Sequence, residues 1–515
     1  MIPAYKLFII SLLPCCCLAQ TETQTAGGGW KEKALYRELL RLDDPLYTSH
    51  NPVYISDAPS TSLTIFDVTR SSQSGSYKPI SSAGTEERGT GRIYGIRKTG
   101  PIAFEGSIEY ANETLGDKKW GNYLFISDDN PFFISDSLVT NYGTELFRLE
   151  GALSYQVSPR WKAALKATYH VGTLAGQSDP RPWTKGMRFS LNPGTSYRLS
   201  EQFLIGASAA YGRLGESVNY TVVNTSEPNV NTIFLFKGLG NPELKNAIGY
   251  KRTYEGGEYR ADVQMLWRPL PSLYNLFEAG YSQAWEYADD GDAGFNYKGG
   301  DYKAAGWQIS DLLRLVTPAA THSVTIAAGS KSTDGIWYIQ TQSTDKDGNI
   351  VWAVRDKSIA HKEQTLRTSF GYTADLRNRD GIPRLAVRLS AAYVNTTIKQ
   401  YPDLYNARYS LATYSGGLTK HFFIRGNSLL SLSADFTLAT SHRYFTEASG
   451  SRLESPYLDP AFRAAVSSYG EMAFGTTWQK PLSLRSNTFL LGFRAVSLLN
   501  IYKGPASDVS VFLTF

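Results

Sequence analysis

The chain has 515 residues, and its 52 Lys and Arg against 47 Asp and Glu give a net charge of +5. This charge is spread along the chain without a basic run, which excludes nucleic acid as an expected partner. Beyond the N-terminal region no stretch of about 18 consecutive apolar residues occurs, so the sequence predicts no transmembrane helix.

The N-terminus predicts a cleaved secretory signal peptide over residues 1–19. Lys6 precedes an apolar run over residues 7–13, and Ala19 is followed by the polar Gln20. The apolar run is shorter than the roughly 20 residues that a spanning helix needs. A retained helical anchor and a lipoprotein signal are the alternatives, and Pro14 ahead of the cysteines disfavours the second.

All three cysteines lie inside this signal, at residues 15–17. The mature chain is therefore expected to contain neither a disulfide nor a catalytic thiol. Any zinc site would have to use histidine and carboxylate ligands alone.

Residues 20–60 form a predicted N-terminal periplasmic or hatch segment. Leucines recur at helical spacing from Trp30 to Leu42, where Asp43-Asp44-Pro45 ends the pattern. An extended stretch is expected over residues 46–57. The segment either plugs the lumen of a wide barrel or packs at its periplasmic rim, and the sequence favours neither placement.

From residue 61 to residue 515 the pattern changes to strict alternation of apolar and polar residues. Leu149 and Leu153 share one face of a strand, for example, and Arg148 and Glu150 share the other. Many alternating segments exceed the about 5–6 residues of a globular strand and match the about 9–11 of a tilted membrane strand. Aromatic residues make up 13% of the chain, as interfacial girdles require.

The connections favour a membrane barrel over a sandwich. Short links are predicted at residues 98–101, 158–160, 200–202, 269–271, 317–321, 377–383, 423–426 and 480–485. Long links are predicted between them, at residues 71–88, 112–143, 172–186, 214–256, 287–301, 332–364, 397–406, 441–463 and 500–507. Short periplasmic turns that alternate with long outer loops are typical of bacterial barrels. The fold class is therefore all-β, a transmembrane antiparallel up-and-down β-barrel of about 18 strands preceded by a short helical segment, with 16 or 14 strands as alternatives.

The last strand alternates from Asp508 to Phe515 and ends on the aromatic ring. It resembles the terminal assembly signal of bacterial outer-membrane proteins. That resemblance implies location in the cell outer membrane, contact with outer-membrane lipid, and recognition of Phe515 by the barrel-assembly machinery.

Two family resemblances are visible. Asn51-Pro52, ahead of a first strand predicted at residues 62–69, resembles the Asn-Pro-Ala hatch motif of fatty-acid-transporter barrels, with Val53 in the third position. The full length, from Leu18-Ala19-Gln20 to Phe515, resembles an uncharacterised Bacteroidota outer-membrane β-barrel family, domain of unknown function 6850. The second resemblance implies location and fold, and no activity.

The sequence contains no catalytic or metal-binding motif among those of hydrolases, nucleotide-binding proteins and zinc proteases. Its six histidines are scattered singly. Asp345-Lys-Asp-Gly-Asn349 could hold Ca²⁺, but Ile350 stands where an EF-hand loop needs glycine, and a hairpin tip is the favoured interpretation. The acidic run at residues 289–292 is expected to be a solvated outer loop. No enzyme activity, cofactor or metal site is predicted.

The inward faces of the strands supply the candidate site. Mixed charges are expected to face the lumen at Arg148, Glu150, Lys162, Lys166, Arg260, Asp262, Arg367, Arg388, Asp435 and Arg494. They favour a wet interior and count against a lipid substrate. The leading hypothesis is a passive or gated channel or transporter for small polar solutes. The alternatives are a non-transporting scaffold or partner subunit of an outer-membrane complex and, third, a barrel-embedded hydrolase.

Overall fold

A computed structural model describes residues 30–35, 45–57, 62–75, 79–226, 231–240, 242–291, 297–348, 350–378, 382–402, 405–424, 427–448, 450–484, 487–500 and 504–514. Among these residues, no helix is both long enough and apolar enough to cross a membrane. The signal peptide and Phe515, as well as most of the predicted helix beyond Leu35, lie outside the described residues.

Eighteen antiparallel strands form one closed sheet in chain order. The wall strands are β1 (Ser62–Ser74), β2 (Thr85–Thr99), β3 (Ile102–Lys118), β5 (Thr140–Gln156), β6 (Trp161–Gly176), β7 (Pro182–Arg198), β8 (Phe203–Tyr220), β11 (Lys251–Leu270), β12 (Leu273–Asp290), β13 (Tyr297–Val316), β14 (Ala320–Thr344), β15 (Ile350–Arg377), β16 (Pro383–Gln400), β17 (Tyr405–Ile424), β18 (Ser428–Glu447), β19 (Tyr469–Leu484), β20 (Asn487–Asn500) and β21 (Gly504–Thr514). Pairing of β1 with β21 closes the barrel. The predicted barrel and its 18 strands are confirmed.

Three short strands lie outside the wall and form a separate small sheet. They are β4 (Ile134–Ser135), β9 (Thr232–Leu235) and β10 (Glu243–Asn246), in the order β10-β9-β4. The described helical elements are α1 (Trp30–Ala34), single 3-10 turns at Pro45–Thr48 and Pro52–Asp57, a π-helical turn at Glu454–Leu458, and α2 (Asp459–Ala465). The predicted extended stretch over residues 46–57 is therefore wrong. Prolines at the first position of both 3-10 turns explain the difference, since proline pre-sets the helical φ angle there.

All eight predicted short links join neighbouring wall strands. Several predicted long links are wrong, because the strands themselves continue far into them. The clearest case is residues 332–364, where β14 and β15 form a paired ribbon that turns at residues 345–349. Gly348 adopts a φ of 82° there, which confirms the predicted hairpin tip. Apolar residues alternate near the tip, at Trp337, Ile339, Ile350, Trp352 and Val354, but the segments that join the tip to the wall are mostly polar, which hid the strand continuity.

The ribbon formed by residues 337–360 extends beyond the neighbouring strands. β15 pairs with β16 only from His361 onward, so the edge of residues 350–360 is paired on the β14 side alone. Ile339, Ile350 and Val354 are about half exposed along it.

Candidate functional site: the occupied lumen

The wall has an outer face of exposed apolar side chains and an inner face of mixed polarity. On β5 and β6, Leu149, Leu153 and Leu165 are more than 40% exposed, and the residues between them point to the other face. This organisation places an apolar band outside and a polar lumen inside, as a membrane-spanning barrel requires.

Residues 46–57, here called the inner plug, occupy the lumen at the short-turn end. Asn51 is fully buried, and its amide donates hydrogen bonds to the carbonyl of Thr195 at 2.8 Å and to Gln264 Oε1 at 3.1 Å. A Cβ at Gly194 would lie 2.3 Å from Asn51 Oδ1, so only glycine permits this close approach. The Asn51-Pro52 pair singled out in the sequence is thus the anchor of the inner plug.

Apolar and ionic contacts fix the rest of the inner plug. Ile55 packs in one cluster with Leu63 and Ile96, and Val53 packs in another with Leu266, all nearly or fully buried. Asp57 accepts a hydrogen bond from Lys162 Nζ at 2.6 Å. Tyr54 donates to Glu105 Oε2 at 2.9 Å, and burial, followed by the Glu105 carboxylate, raises the pKa of the phenol well above its usual range.

Helix α1 reaches the opposite side of the same mouth. The Trp30 ring lies 6.2 Å from the Phe423 ring on β17, and Gln479 of β19 donates to the carbonyl of Ala34 at 3.2 Å. The described parts of the N-terminal segment therefore contact the lumen from both sides of the short-turn end. The domain boundary at residue 60 stays a prediction.

The other end of the lumen is closed by an outer cap, which consists of residues 119–139, the described part of 221–250, and 448–468 without Ser449. Their aromatic side chains form a dry cluster with the upper ends of the wall strands. The rings of Phe133 and Phe236 stack at 4.0 Å, and Tyr457 packs edge-on against Phe236 at 5.2 Å. Trp120 is 1% exposed in the same cluster.

Wall carboxylates fasten the first cap loop through its backbone. Glu216 accepts hydrogen bonds from the N–H groups of Leu124 and Phe125 at 3.0 and 2.6 Å. Glu286 accepts from the Ser127 N–H at 2.8 Å and from Asn130 Nδ2 at 2.6 Å. These bonds satisfy loop N–H groups that would otherwise be buried without partners.

An ion pair fastens the tip of the same loop. Asp129 pairs with Lys331 Nζ at 2.7 Å and accepts from Thr333 Oγ1 at 2.8 Å, both on β14. The loop is therefore tied across the lumen from β8 to β14.

The pKa values of two cap carboxylates are shifted in opposite directions. Burial raises the pKa of Asp136, although Asn122 Nδ2 donates to it at 3.0 Å. Partial burial also acts to raise the pKa of Glu243, but hydrogen bonds from Lys237 and Lys245 outweigh it and lower the pKa.

Between the inner plug and the outer cap runs a belt of charged residues in cross-strand register. Each member lies directly opposite the next one on the neighbouring strand. Their order around the wall is Asp67, Arg92, Glu109, Arg148, His170 and Arg188. Side-chain pairs link it to adjacent rows, as in Arg88–Glu109 at 3.4 Å and Arg188–Glu258 at 3.3 Å. Opposite charges that face each other across a sheet stabilise the pairing.

The wall differs strongly between its two halves. In β1–β13, here the filled wall, inward residues near the inner plug such as Ser154, Ser196 and Gln264 are at most 3% exposed, whereas Arg148 and Arg188 nearer the cap are almost half exposed. In β14–β20, here the open wall, inward positions between the cap and the short turns carry small and hydroxyl side chains that are partly or fully exposed. They include Thr365, Ser369, Thr373, Ser390, Thr413, Ser415, Ser431, Ser433, Thr437 and Thr477. A water-accessible space thus follows the open wall.

The sequence-predicted lumen residues fall into pairs and singles. Contacts join Arg148 to Glu150, Lys166 to Glu150, Lys162 to Asp57, Arg260 to Asp262, and Arg388 to Asp435. Arg367 and Arg494 are exposed on the open wall and alternate with the outward-facing Leu366 and Phe493. Strand alternation therefore predicts an inward direction for all ten.

Sequence reasoning missed the carboxylates that hold the cap and the plug. Glu216 and Glu286 on the wall bind loop residues more than 90 positions away, Asp129 in the loop binds β14 across about 200 positions, and Glu278 meets His50 at a separation of 228. These contacts join residues far apart in the chain, so no local motif marks them. An acidic residue on the inner face of a strand was the available signal, and it does not distinguish a residue that binds a loop from one that faces solvent in the lumen.

The strand pairing and the occupied lumen define the class as a membrane-spanning antiparallel β-barrel with an internal plug. Residues 52–509 match the pattern of a family of unknown function, DUF6850, and the chain belongs to this family. Its expected origin in Bacteroidota stays a prediction. Comparison with curated proteins gives no match.

Among solved structures, the chain is similar to the outer membrane transporter YddB from Escherichia coli, at 7% identity and a TM-score of 0.41 over 88% of this chain and 81% of the other. It is also similar to the ferric yersiniabactin uptake receptor FyuA from Yersinia pestis, at 10% identity and a TM-score of 0.41 over 88% and 80%. The ferric preacinetobactin receptor BauA from Acinetobacter baumannii follows at 9% and 0.37 over 88% and 80%. The fold assigned to this chain is established by its own strand pairing and does not depend on these similarities.

Proposed function

We propose that the protein is a gated transporter of the outer membrane that passes small polar solutes along the open wall. The observation that carries the proposal is the row of partly exposed hydroxyl side chains on the inner face of β15–β19. Hydroxyl groups both donate and accept hydrogen bonds, so they can replace the hydration of a polar solute in transit. The proposal assigns no catalytic step to the chain.

The outer cap makes the gate part of the proposal. Its dry aromatic cluster blocks the axis of the lumen, so passage requires the first cap loop to leave the wall. The bonds to Glu216, Glu286 and Asp129 are the contacts that must break. At the short-turn end the contacts described for the inner plug fall on β1–β13, and α1 is the described part of the N-terminal segment that contacts the open wall.

A scaffold role is the second candidate. The closed cap and the ribbon of residues 337–360, which exposes Ile339 and Val354 well above the wall, favour it. Such a ribbon presents an unpaired strand edge, a common surface for partner binding.

Planar-bilayer recording of the mature protein decides between the two. Four forms are compared: the mature chain, a chain without residues 20–59, a cap-unlocked variant with Asp129→Ala and Glu286→Ala, and the combination. We expect the cap-unlocked variant to conduct and the combination to conduct more, with the intact cap silent in both backgrounds. A variant with Asp347→Ala and Asp356→Ala, two exposed ribbon acids, is the matched control. Silence of the combined variant, shown to be folded by circular dichroism, would reject transport and favour the scaffold.

A further inference from the structure

Three potential metal ligands converge where the inner plug meets the wall. They are His50 of the plug, Asp262 on β11 and Glu278 on β12, and one ligand atom of each lies within 4.8 Å of the others. Two ligands at about 2.1 Å from a shared tetrahedral ion lie about 3.4 Å apart, so the widest pair would have to close by up to about 1.4 Å to complete the site.

The two carboxylates are nearly dry. The side chains of Asp262 and Glu278 are 3% and 4% exposed, and that of His50 is 45% exposed toward the lumen. Two buried carboxylates require two positive charges, and the Arg260 guanidinium supplies one of them. Either a proton on His50, which pairs with Glu278, or a bound cation supplies the other.

His50 Nδ1 has more neighbours than one nitrogen can bind. Glu278 Oε1 is in contact with it, Arg260 Nη2 lies at 2.9 Å and Gln308 Nε2 at 3.4 Å. A neutral ring nitrogen either donates one hydrogen bond or accepts one, and it cannot do both. A metal ion that takes Nδ1 and the two carboxylates would resolve this conflict, and rotation of the Gln308 amide would turn its oxygen toward the ion.

The position of His50 is fixed independently of any ion. Its carbonyl accepts from Asn192 Nδ2 at 3.1 Å, and the adjacent Asn51 is clamped between β7, β8 and β11. Gly280 also leaves room for the acid, because a Cβ there would lie 2.1 Å from Asp262 Oδ1. The ligands are thus held in place by the fold.

The geometry points to a divalent transition-metal site, of the zinc class, formed by His50, Asp262 and Glu278. One imidazole with two carboxylates suits zinc or a neighbouring first-row ion, whereas calcium and magnesium prefer oxygen ligands alone. Bound metal would cross-link the inner plug to β11 and β12. Arg260, which now holds Asp262 through both oxygens, competes with the ion for the same carboxylate.

Titration of the metal-stripped full chain in detergent with Zn²⁺, followed by calorimetry, tests the site. Visible absorption of Co²⁺ in the same preparation reports its ligands without any transport activity. We expect one high-affinity ion per chain and at least about tenfold weaker binding in His50→Ala. His442→Ala, at an exposed histidine on β18, is the matched control and should bind as the parent does.

Arg260→Gln separates a metal site from an ion-pair network. If the ion and the guanidinium compete, this variant binds Zn²⁺ more tightly than the parent and keeps its Co²⁺ spectrum. Equal affinity in the parent and in folded His50→Ala would show that Zn²⁺ binds elsewhere and would overturn the proposal. So would the absence of binding in folded Arg260→Gln.

Discussion

The filled wall and the open wall are built from the same alternating strands, yet the side chains on their inner faces differ in kind and in what they contact. On the filled wall many inward side chains are polar or charged and paired, and they hold the inner plug and, through Glu216 and Glu286, the cap loop. On the open wall hydroxyl side chains lie between charged ones such as Arg367 and Arg388, and the contacts described for the inner plug do not reach them. The filled wall therefore supports the contents of the lumen, and the open wall is the side on which the proposed passage lies. Matched substitutions on the two walls test this division.

The largest difference is expected for arginine ion pairs. Arg252 on the filled wall is fully buried with Asp290 and also donates to the carbonyl of Phe132 at 3.2 Å. Arg252→Met would strand a buried carboxylate and should lower the free energy of unfolding by about 3–5 kcal/mol. Arg388→Met, on the open wall, breaks a half-exposed pair with Asp435 and should cost at most about 1 kcal/mol. Urea unfolding in lipid vesicles measures both, and equal losses would contradict the division of the walls.

Glycine-to-alanine substitutions should show a smaller difference in stability between the two walls than the arginine substitutions do. Gly194→Ala places a methyl group against Asn51 and Pro52 and should cost about 1–3 kcal/mol, mostly in docking of the inner plug. Gly371→Ala on the open wall meets its nearest atom at 3.9 Å and should be neutral. Protease sensitivity of residues 46–57 is the measurement. A plug that stays protected in Gly194→Ala would show that the Asn51 anchor is dispensable.

Obstruction of the passage should depend on the wall. In the cap-unlocked variant, Ser415→Trp on the open wall should reduce single-channel conductance, because a bulky ring then fills the hydroxyl-lined space. Thr168→Trp, inward on β6 of the filled wall, should reduce it less. A larger effect of Thr168→Trp would place the passage on the other side of the lumen.

The smallest effects are expected from pH, and they have opposite signs within the cap. The raised pKa of Asp136 means that its contribution to stability is complete at low pH and is lost as pH rises through the folded-state pKa. The lowered pKa of Glu243 means that its contribution is present at higher pH and is lost as pH falls through the folded-state pKa. The free energy of unfolding is measured between pH 3 and 7. Asp136→Asn should remove a contribution that falls with rising pH, and Glu243→Gln should remove one that rises with pH. Slopes of the same sign would contradict this assignment.

Period-two alternation was sufficient to predict the wall, because Leu149, Leu153 and their counterparts must face lipid whatever fills the lumen. The same alternation gave an inward direction to Arg148 and Asp435, since a strand has only two faces. It could not predict their partners, which depend on register between strands.

The contents of the lumen were harder to predict for a physical reason. Cap residues such as Phe133 and Tyr457 lie in loops whose apolar side chains have no period, and their burial comes from contacts between distant segments. The two 3-10 turns of the inner plug are too short to produce a periodic signal. Asn51 was visible as part of a motif, but its three acceptors on β7, β8 and β11 were not.

The contacts described for the inner plug all fall on β1 to β13, which has a consequence for closure of the barrel. They run from Lys98 on β2 to Gln308 on β13. None of them lies on β21, the strand that pairs with β1 to close the sheet. The described anchors of residues 46–57 therefore belong to one continuous part of the sheet and do not include the strand that completes it.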